Sequence, residues 1–112
     1  MDGQLRAIYD RQLEYYAAKD IDGLLRSNYS DDAVLTMFDY QVRGREALRK
    51  HFQGFFDMAG NVTFKSTTRF VETEHTVLIE ALVETEKLGS MVFIDAFVID
   101  KGKIDYQFSI VK

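Results

Sequence analysis

Cysteine and proline are both absent from the 112 residues. Without thiols there is no disulfide, no thiolate nucleophile and no thiolate metal site. Basic charge is also in short supply. Fourteen Lys and Arg face eighteen Asp and Glu, for a formal net charge of -4, and they form no long basic run. A phosphate-binding surface needs clustered cations, so nucleic acid is not an expected partner. No apolar run approaches the ~18 residues of a membrane span, and no membrane partner is expected. The opening "MDGQLRAIYD" has no basic segment followed by an apolar one, so it does not read as a signal peptide. A soluble cytoplasmic protein is expected. The only histidines, His51 and His75, lie far apart with no ligand spacing around them, so no metal is expected. There is no Gly-rich phosphate loop and no nucleophile-elbow serine, hence no expected cofactor. Linkers, repeats and low-complexity tracts are missing too, so residues 1–112 are read as one domain.

What is present is apolar material: 46% of the residues are hydrophobic and 13% aromatic, enough for a real core and too much for a disordered chain. In "DGQLRAIYDRQLEYYAAKD", Leu5, Ile8, Tyr9, Leu13, Tyr16 and Ala17 recur at helical spacing, with Asp2 as N-cap. "DIDGLLRSNY" predicts a second, short helix with Asp20 near its start. "DDAVLTMF" reads as a strand over 33–38, with Asp31 and Asp32 as turn residues before it. "DYQVRG" follows as a turn and a short extended piece. "GREALRKHFQGFFDMAG" is a third helix with Leu48, Phe52, Phe55 and Met58 or Ala59 along one face, ended by Gly60. Beyond Gly60 the period changes to two. "NVTFKSTTRFVET", "TVLIEALVETEK", "GSMVFIDAFVID" and "IDYQFSIVK" predict four long strands joined by short turns. Helices followed by such a run argue an α+β fold with a mostly antiparallel sheet.

The stretch 91–100, "MVFIDAFVID", is apolar on both faces. Met91, Phe93, Asp95, Phe97 and Ile99 share one side; Val92, Ile94, Ala96 and Val98 share the other. A sheet with one wet face would alternate apolar with polar. One face therefore packs on the helices, and a second copy of the chain is the expected cover for the other, giving a homodimer through the sheet. Asp95 interrupts the face with the larger residues. An unpaired buried carboxylate costs several kcal/mol. It is either satisfied structurally, by a neighbouring strand or Arg43, or it is an acid in a pocket; both readings stand at this level. His51 lies at the edge of the apolar face of the third helix, where a packing role competes with a catalytic one. His75, in the tip "TEHT", is expected to be solvated. Glu80, Glu84 and Glu86 read as a solvated or dimer-rim row. Of Tyr9, Tyr15 and Tyr16, at least two are expected in the core.

"YYAAKDIDGLLRSNYSDDAVLTMF" followed by "VRGREALRKHFQGFF" resembles the opening half of the nuclear transport factor two-like superfamily. That group includes SnoaL-like polyketide cyclases, ketosteroid isomerase and scytalone dehydratase. The strands that follow fit its curved sheet, so the resemblance extends over almost the whole chain. It implies a cone, in which the bent sheet wraps the long first helix around an internal pocket, and members commonly dimerise through the outer sheet face. Ketosteroid isomerase uses a Tyr and a protonated Asp as donors and a second Asp as base. On this chain the donor Asp falls on Asp95, the Tyr near Gln12 and the base near Met37. A methionine cannot abstract a proton, so steroid isomerisation is not expected. The pocket is expected to be lined by Gln12, Tyr16, Met37, Phe52, Phe55, Phe93, Asp95 and Tyr106. Three functions are compatible with it. One is an enzyme working on a hydrophobic carbonyl compound, with Asp95 as acid or base assisted by His51 or Tyr16. The second is a non-catalytic small-molecule binder. The third is an interaction domain whose interior is filled by side chains. An open cavity of ~300 Å³ or more with Asp95 on its wall favours the first two.

Overall fold

The helical spacing of the first half and the alternation of the second both appear as expected in the computed structural model, which describes residues 4–112. Asp2, the expected N-cap, lies outside the described residues. The order is α1 (Gln4–Ala18), α2 (Ile21–Asn28), β1 (Tyr29–Met37), β2 (Tyr40–Arg43), α3 (Arg45–Ala59), β3 (Val62–Glu72), β4 (Thr76–Thr85), β5 (Gly89–Asp100) and β6 (Lys103–Val111). The six strands form one sheet in the order β2-β1-β6-β5-β4-β3. Every neighbouring pair is antiparallel except β1 and β6, which run parallel. The ladders slip at Tyr29/Val34, Phe64/Ser66, Thr67/Arg69 and Val98/Ile99. Such irregularities bend and twist strands, and they curve this sheet around the helices. The result is the α+β cone.

Local chemistry sets the helices. Leu5, Ile8, Tyr9, Gln12 and Tyr16, three or four residues apart, form the buried stripe of α1. Asp20 caps α2, its carboxylate accepting from the Gly23 N–H at 3.0 Å. Gly60 ends α3 at φ 74°, and a Cβ there would meet the Glu86 carboxylate at 2.6 Å. Only glycine suits both the conformation and the space.

Three placements differ from expectation. First, β1 begins at Tyr29 instead of residue 33, so Asp31 and Asp32 lie on the strand, exposed, and Asp31 pairs with Arg45 at 2.9 Å. The polar pair reads as a turn, but the ladder simply slips past it. Second, the inner face of α3 is Leu48, Phe52, Phe56 and Ala59. Phe55 is only half-buried and Met58 is exposed. Third, Tyr106 is not in the cone. Ile104 is buried, and a regular strand would carry Tyr106 to the same side. The slip beside Ile99 reverses the phase, so Tyr106 points outward and Gln107 and Ser109 point inward.

β5 has the two apolar sides read from its sequence. Phe93, Asp95, Phe97 and Ile99 are buried against the helices, while Val92, Ile94, Ala96 and Val98 are half-buried on the outside. Leu78, Leu82, Tyr106, Phe108 and Ile110 extend that outer face, each 40–49% exposed. Tyr9 and Tyr16 are core residues and Tyr15 is half-buried. No helix among the described residues is long and apolar enough to cross a membrane.

Candidate functional site

A cavity of about 490 Å³ opens between α1, α3 and the concave side of the sheet. Its walls come from well-separated parts of the chain: Tyr16 from α1, Leu35 and Met37 from β1, Phe52 and Phe55 from α3, Phe93 from β5 and Val111 from β6. Aromatic rings fix the wall. Tyr16 meets Phe52 edge-on at 5.9 Å and Phe64 at 5.7 Å, and Phe93 meets Phe55 at 5.8 Å. The buried polar end holds Asp95, Gln107 and Ser109. Tyr40, Lys50, His51 and the exposed Met58 stand at the mouth.

Asp95 is the one buried carboxylate among the described residues. Its partners are on β6, directly beside it: Gln107 Nε2 donates to Oδ1 at 3.2 Å, and Ser109 Oγ donates to the same oxygen. Of the two structural partners open at the sequence level, the neighbouring strand is the one that holds it. Arg43 is exposed on β2 and pairs with no carboxylate among the described residues. Oδ2 has no protein partner, and no fully buried polar side-chain atom among the described residues lacks one. Oδ2 therefore opens onto the cavity. Burial raises the Asp95 pKa from 3.8 to about 6, while the two hydrogen bonds pull the other way. A carboxyl with one oxygen held and the other free, titrating close to neutrality, can give or take a proton at Oδ2.

The remaining expected residues fall in different places. Tyr16 lines the cavity, and burial lifts its pKa well above the ordinary value, so its hydroxyl can donate but not abstract. His51 also lines it, near the mouth, where Nδ1 lies 3.4 Å from the Tyr40 hydroxyl. Desolvation lowers the His51 pKa, which leaves the ring neutral at pH 7 and able to accept a proton. His51 and Asp95 thus share one cavity without a hydrogen bond between them. Met37, Phe52, Phe55 and Phe93 are wall residues. Gln12 is not: it lies behind the wall, buried, with Nε2 donating to the Tyr29 hydroxyl at 2.7 Å. Tyr106 is on the outer face, as described above.

Sequence reasoning missed Gln107 and Ser109. The signal was there: two polar residues at period two on a strand that pairs with the one carrying Asp95. The missing information was the ladder slip that turns them inward. Among the described residues no cluster of three or more His, Asp or Glu could hold a metal.

A family model described as a SnoaL-like domain matches residues 9–107. Solved structures with the same fold include a nuclear transport factor two-like protein from Anabaena variabilis, with a TM-score of 0.84 and 16% identity over 97% of this chain and 87% of that one. A candidate polyketide cyclase from Sinorhizobium meliloti gives 0.80 and 17% over 92% and 93%. A de novo designed protein with a curved β-sheet gives 0.83 and 16% over 100% and 88%. At these identities the likeness is one of fold alone. No curated protein is a significant match to the chain.

Proposed function

Since the chain belongs to the SnoaL-like domain family, we propose that its cone binds a small hydrophobic molecule carrying a carbonyl or hydroxyl group, and that Asp95 exchanges a proton with it. The observation that carries this reading is the free Oδ2 of Asp95 at the buried end of an otherwise apolar cavity. Below pH about 6 the protonated carboxyl donates to the ligand oxygen; above it, the carboxylate accepts a proton from a carbon or oxygen acid. Tyr16 supplies a second donor, and His51 is the neutral base at the entrance. A cavity of about 490 Å³ speaks against an interior filled by side chains. Solved structures of the same fold described as a candidate polyketide cyclase and a candidate ketosteroid isomerase are in keeping with proton-transfer chemistry.

The test is a panel of aryl and polycyclic ketones, followed by calorimetry and by turnover. Wild type should bind members of the panel, about tenfold more tightly below pH 6 than well above it, and Asp95→Asn should remove both that pH dependence and any turnover. Binding without turnover points to the non-catalytic reading; failure of every ketone to bind rejects both. A β,γ-unsaturated ketosteroid should not be isomerised, because the resemblance puts the base near Met37, a wall residue that cannot take a proton.

The partner proposed for the outer face is a second copy of the chain. Ile94 is central there, beside Leu78, Phe108 and Ile110 in one apolar groove. Placing a charge in such an interface core is costly. Ile94→Lys is expected to convert dimers to monomers while leaving the fold intact. Sedimentation equilibrium at micromolar concentration checks this, and a wild-type protein that sediments as a monomer removes the idea.

A further inference from the structure

A continuous chain of side-chain hydrogen bonds runs from the surface of α1 through the cone to Asp95. Arg11 Nε donates to Asn28 Oδ1 at 3.0 Å. Asn28 Nδ2 donates to the Ile8 carbonyl at 3.0 Å and to Gln12 Oε1 at 2.8 Å. Gln12 Nε2 donates to the Tyr29 hydroxyl at 2.7 Å, and that hydroxyl donates to Gln107 Oε1. Gln107 Nε2 then donates to Asp95 Oδ1 and to Ser109 Oγ, at 3.2 and 3.1 Å.

Every link points the same way, and the far end dictates the direction. A guanidinium can only donate and a backbone carbonyl can only accept. Together Arg11 and Ile8 permit one orientation of the Asn28 amide. Its Nδ2 then requires Gln12 to offer Oε1, which leaves Gln12 Nε2 for the Tyr29 hydroxyl. A hydroxyl that accepts there turns its single proton to Gln107 and requires Oε1 from it. Only Nε2 of Gln107 remains for Asp95. Asn28, Gln12, Tyr29 and Gln107 are all buried, so water does not relax the constraint. Among the described residues no carboxylate pairs with Arg11, whose side-chain partner is the neutral Asn28.

We propose that Arg11, Asn28, Gln12 and Tyr29 act as positioning residues that hold the Gln107 amide with its N–H, not its carbonyl, toward Asp95. None of the four lines the cavity. The consequence is chemical. With Nε2 facing it, Asp95 can exist as a carboxylate, and its proton remains exchangeable. With Gln107 reversed, Oε1 would face Oδ1 and hold a proton on the acid. The proposal concerns the same acid as the functional reading above, but its test does not require that reading to hold.

Tyr29→Phe removes the one hydroxyl that ties Gln12 to Gln107. The Asp95 pKa, followed by carboxyl carbon NMR, is expected to rise by about one pH unit. Arg11→Met, at the half-buried surface end, should raise it in the same direction by less. Tyr15→Phe is the control: its hydroxyl bonds Ser27 outside the chain, at 2.7 Å, and its loss should leave the Asp95 titration where it is. The titratable and charged groups around Asp95 are Tyr9 and Tyr16 on α1, Tyr29 on β1, and Lys50 and His51 at the mouth on α3. Repeating the titration in a His51→Gln background separates out the histidine. A folded Tyr29→Phe whose Asp95 titrates as in wild type overturns the proposal. If that variant does not fold, an unchanged titration in Arg11→Met does the same. Ketone binding is measured separately, so a failed ligand screen leaves this result readable.

Discussion

Phe52→Ala is expected to cost about 3–5 kcal/mol of folding stability. Phe52 is 1% exposed and is held by three rings: Tyr16 at 5.9 Å, Tyr29 at 5.8 Å and His51 at 5.2 Å. Those neighbours are themselves fixed, Tyr29 by the buried hydrogen-bond chain and Tyr16 by packing on Phe56 and Phe64. The site therefore cannot collapse onto the missing ring, and the residual void adds to the lost transfer energy. The cavity should also widen toward α3, favouring bulkier ligands over small ones. Val71→Ala, at a position 55% exposed, is the control and should stay within about 0.5–1 kcal/mol. Urea unfolding of the three proteins measures both. A Phe52→Ala variant that loses less than about 1 kcal/mol means that this ring is not packed as described.

The second large effect depends on pH. Asp95 has a folded-state pKa of about 6 against 3.8 for the free side chain. Between those values the folded protein binds a proton that the unfolded chain has released. Its contribution is therefore fully present below pH 3.8 and is lost as pH rises through 6. At 1.36 kcal/mol per pH unit, the loss is about 2–3 kcal/mol between pH 4 and pH 8. Asp95→Asn should match wild type near pH 4 and become the more stable protein above pH 6. His51, whose pKa is lowered by desolvation, slopes the opposite way: it destabilises as pH falls. That term is present in both proteins and cancels in the difference. Asp95→Asn that is clearly less stable than wild type at pH 7 would show instead that the carboxylate is the form the fold prefers.

The elements were legible wherever burial repeats with a fixed period. The two faces of β5 follow directly from spacing, and so does the presence of a carboxyl on the inner face at Asp95. On α1, spacing gives Leu5, Ile8, Tyr9 and Tyr16, but Ala17 is exposed, Leu13 only half-buried, and the stripe takes in Gln12 instead. Two kinds of information were not local. The first is register: whether Tyr106 or Gln107 faces inward is decided by one ladder slip beside Ile99, and nothing in "IDYQFSIVK" marks it. The second is convergence. Asn28 and Tyr29 read as the end of a short helix, and Gln12 as a residue of the pocket wall. That these three meet Gln107 depends on β1 lying beside β6. Arg43 was plausible for Asp95 by charge alone, yet the strand that carries it is two places away from β6, across β1.

The parallel pairing of β1 with β6 also shapes how the molecule must assemble. β6 sits inside the sheet although it is the last element in chain order among those described. Until residues 103–111 are in place, the remaining strands form two unjoined pieces, β2–β1 and β5–β4–β3, each with an open edge facing the other. Tyr29 and Gln107, whose side chains bridge this join, are 78 positions apart. Closing so long a loop spends chain entropy before the contacts that repay it exist, and topologies of this kind fold slowly. On a ribosome the acid would be made before the two residues that hold it. Asp95 emerges on an exposed edge strand, and only the insertion of β6 delivers Gln107 and Ser109 and closes the cone around it. The polar end of the cavity thus takes shape only once β6 is in place, and the step that completes it also removes the two facing edges through which an unfinished chain would aggregate.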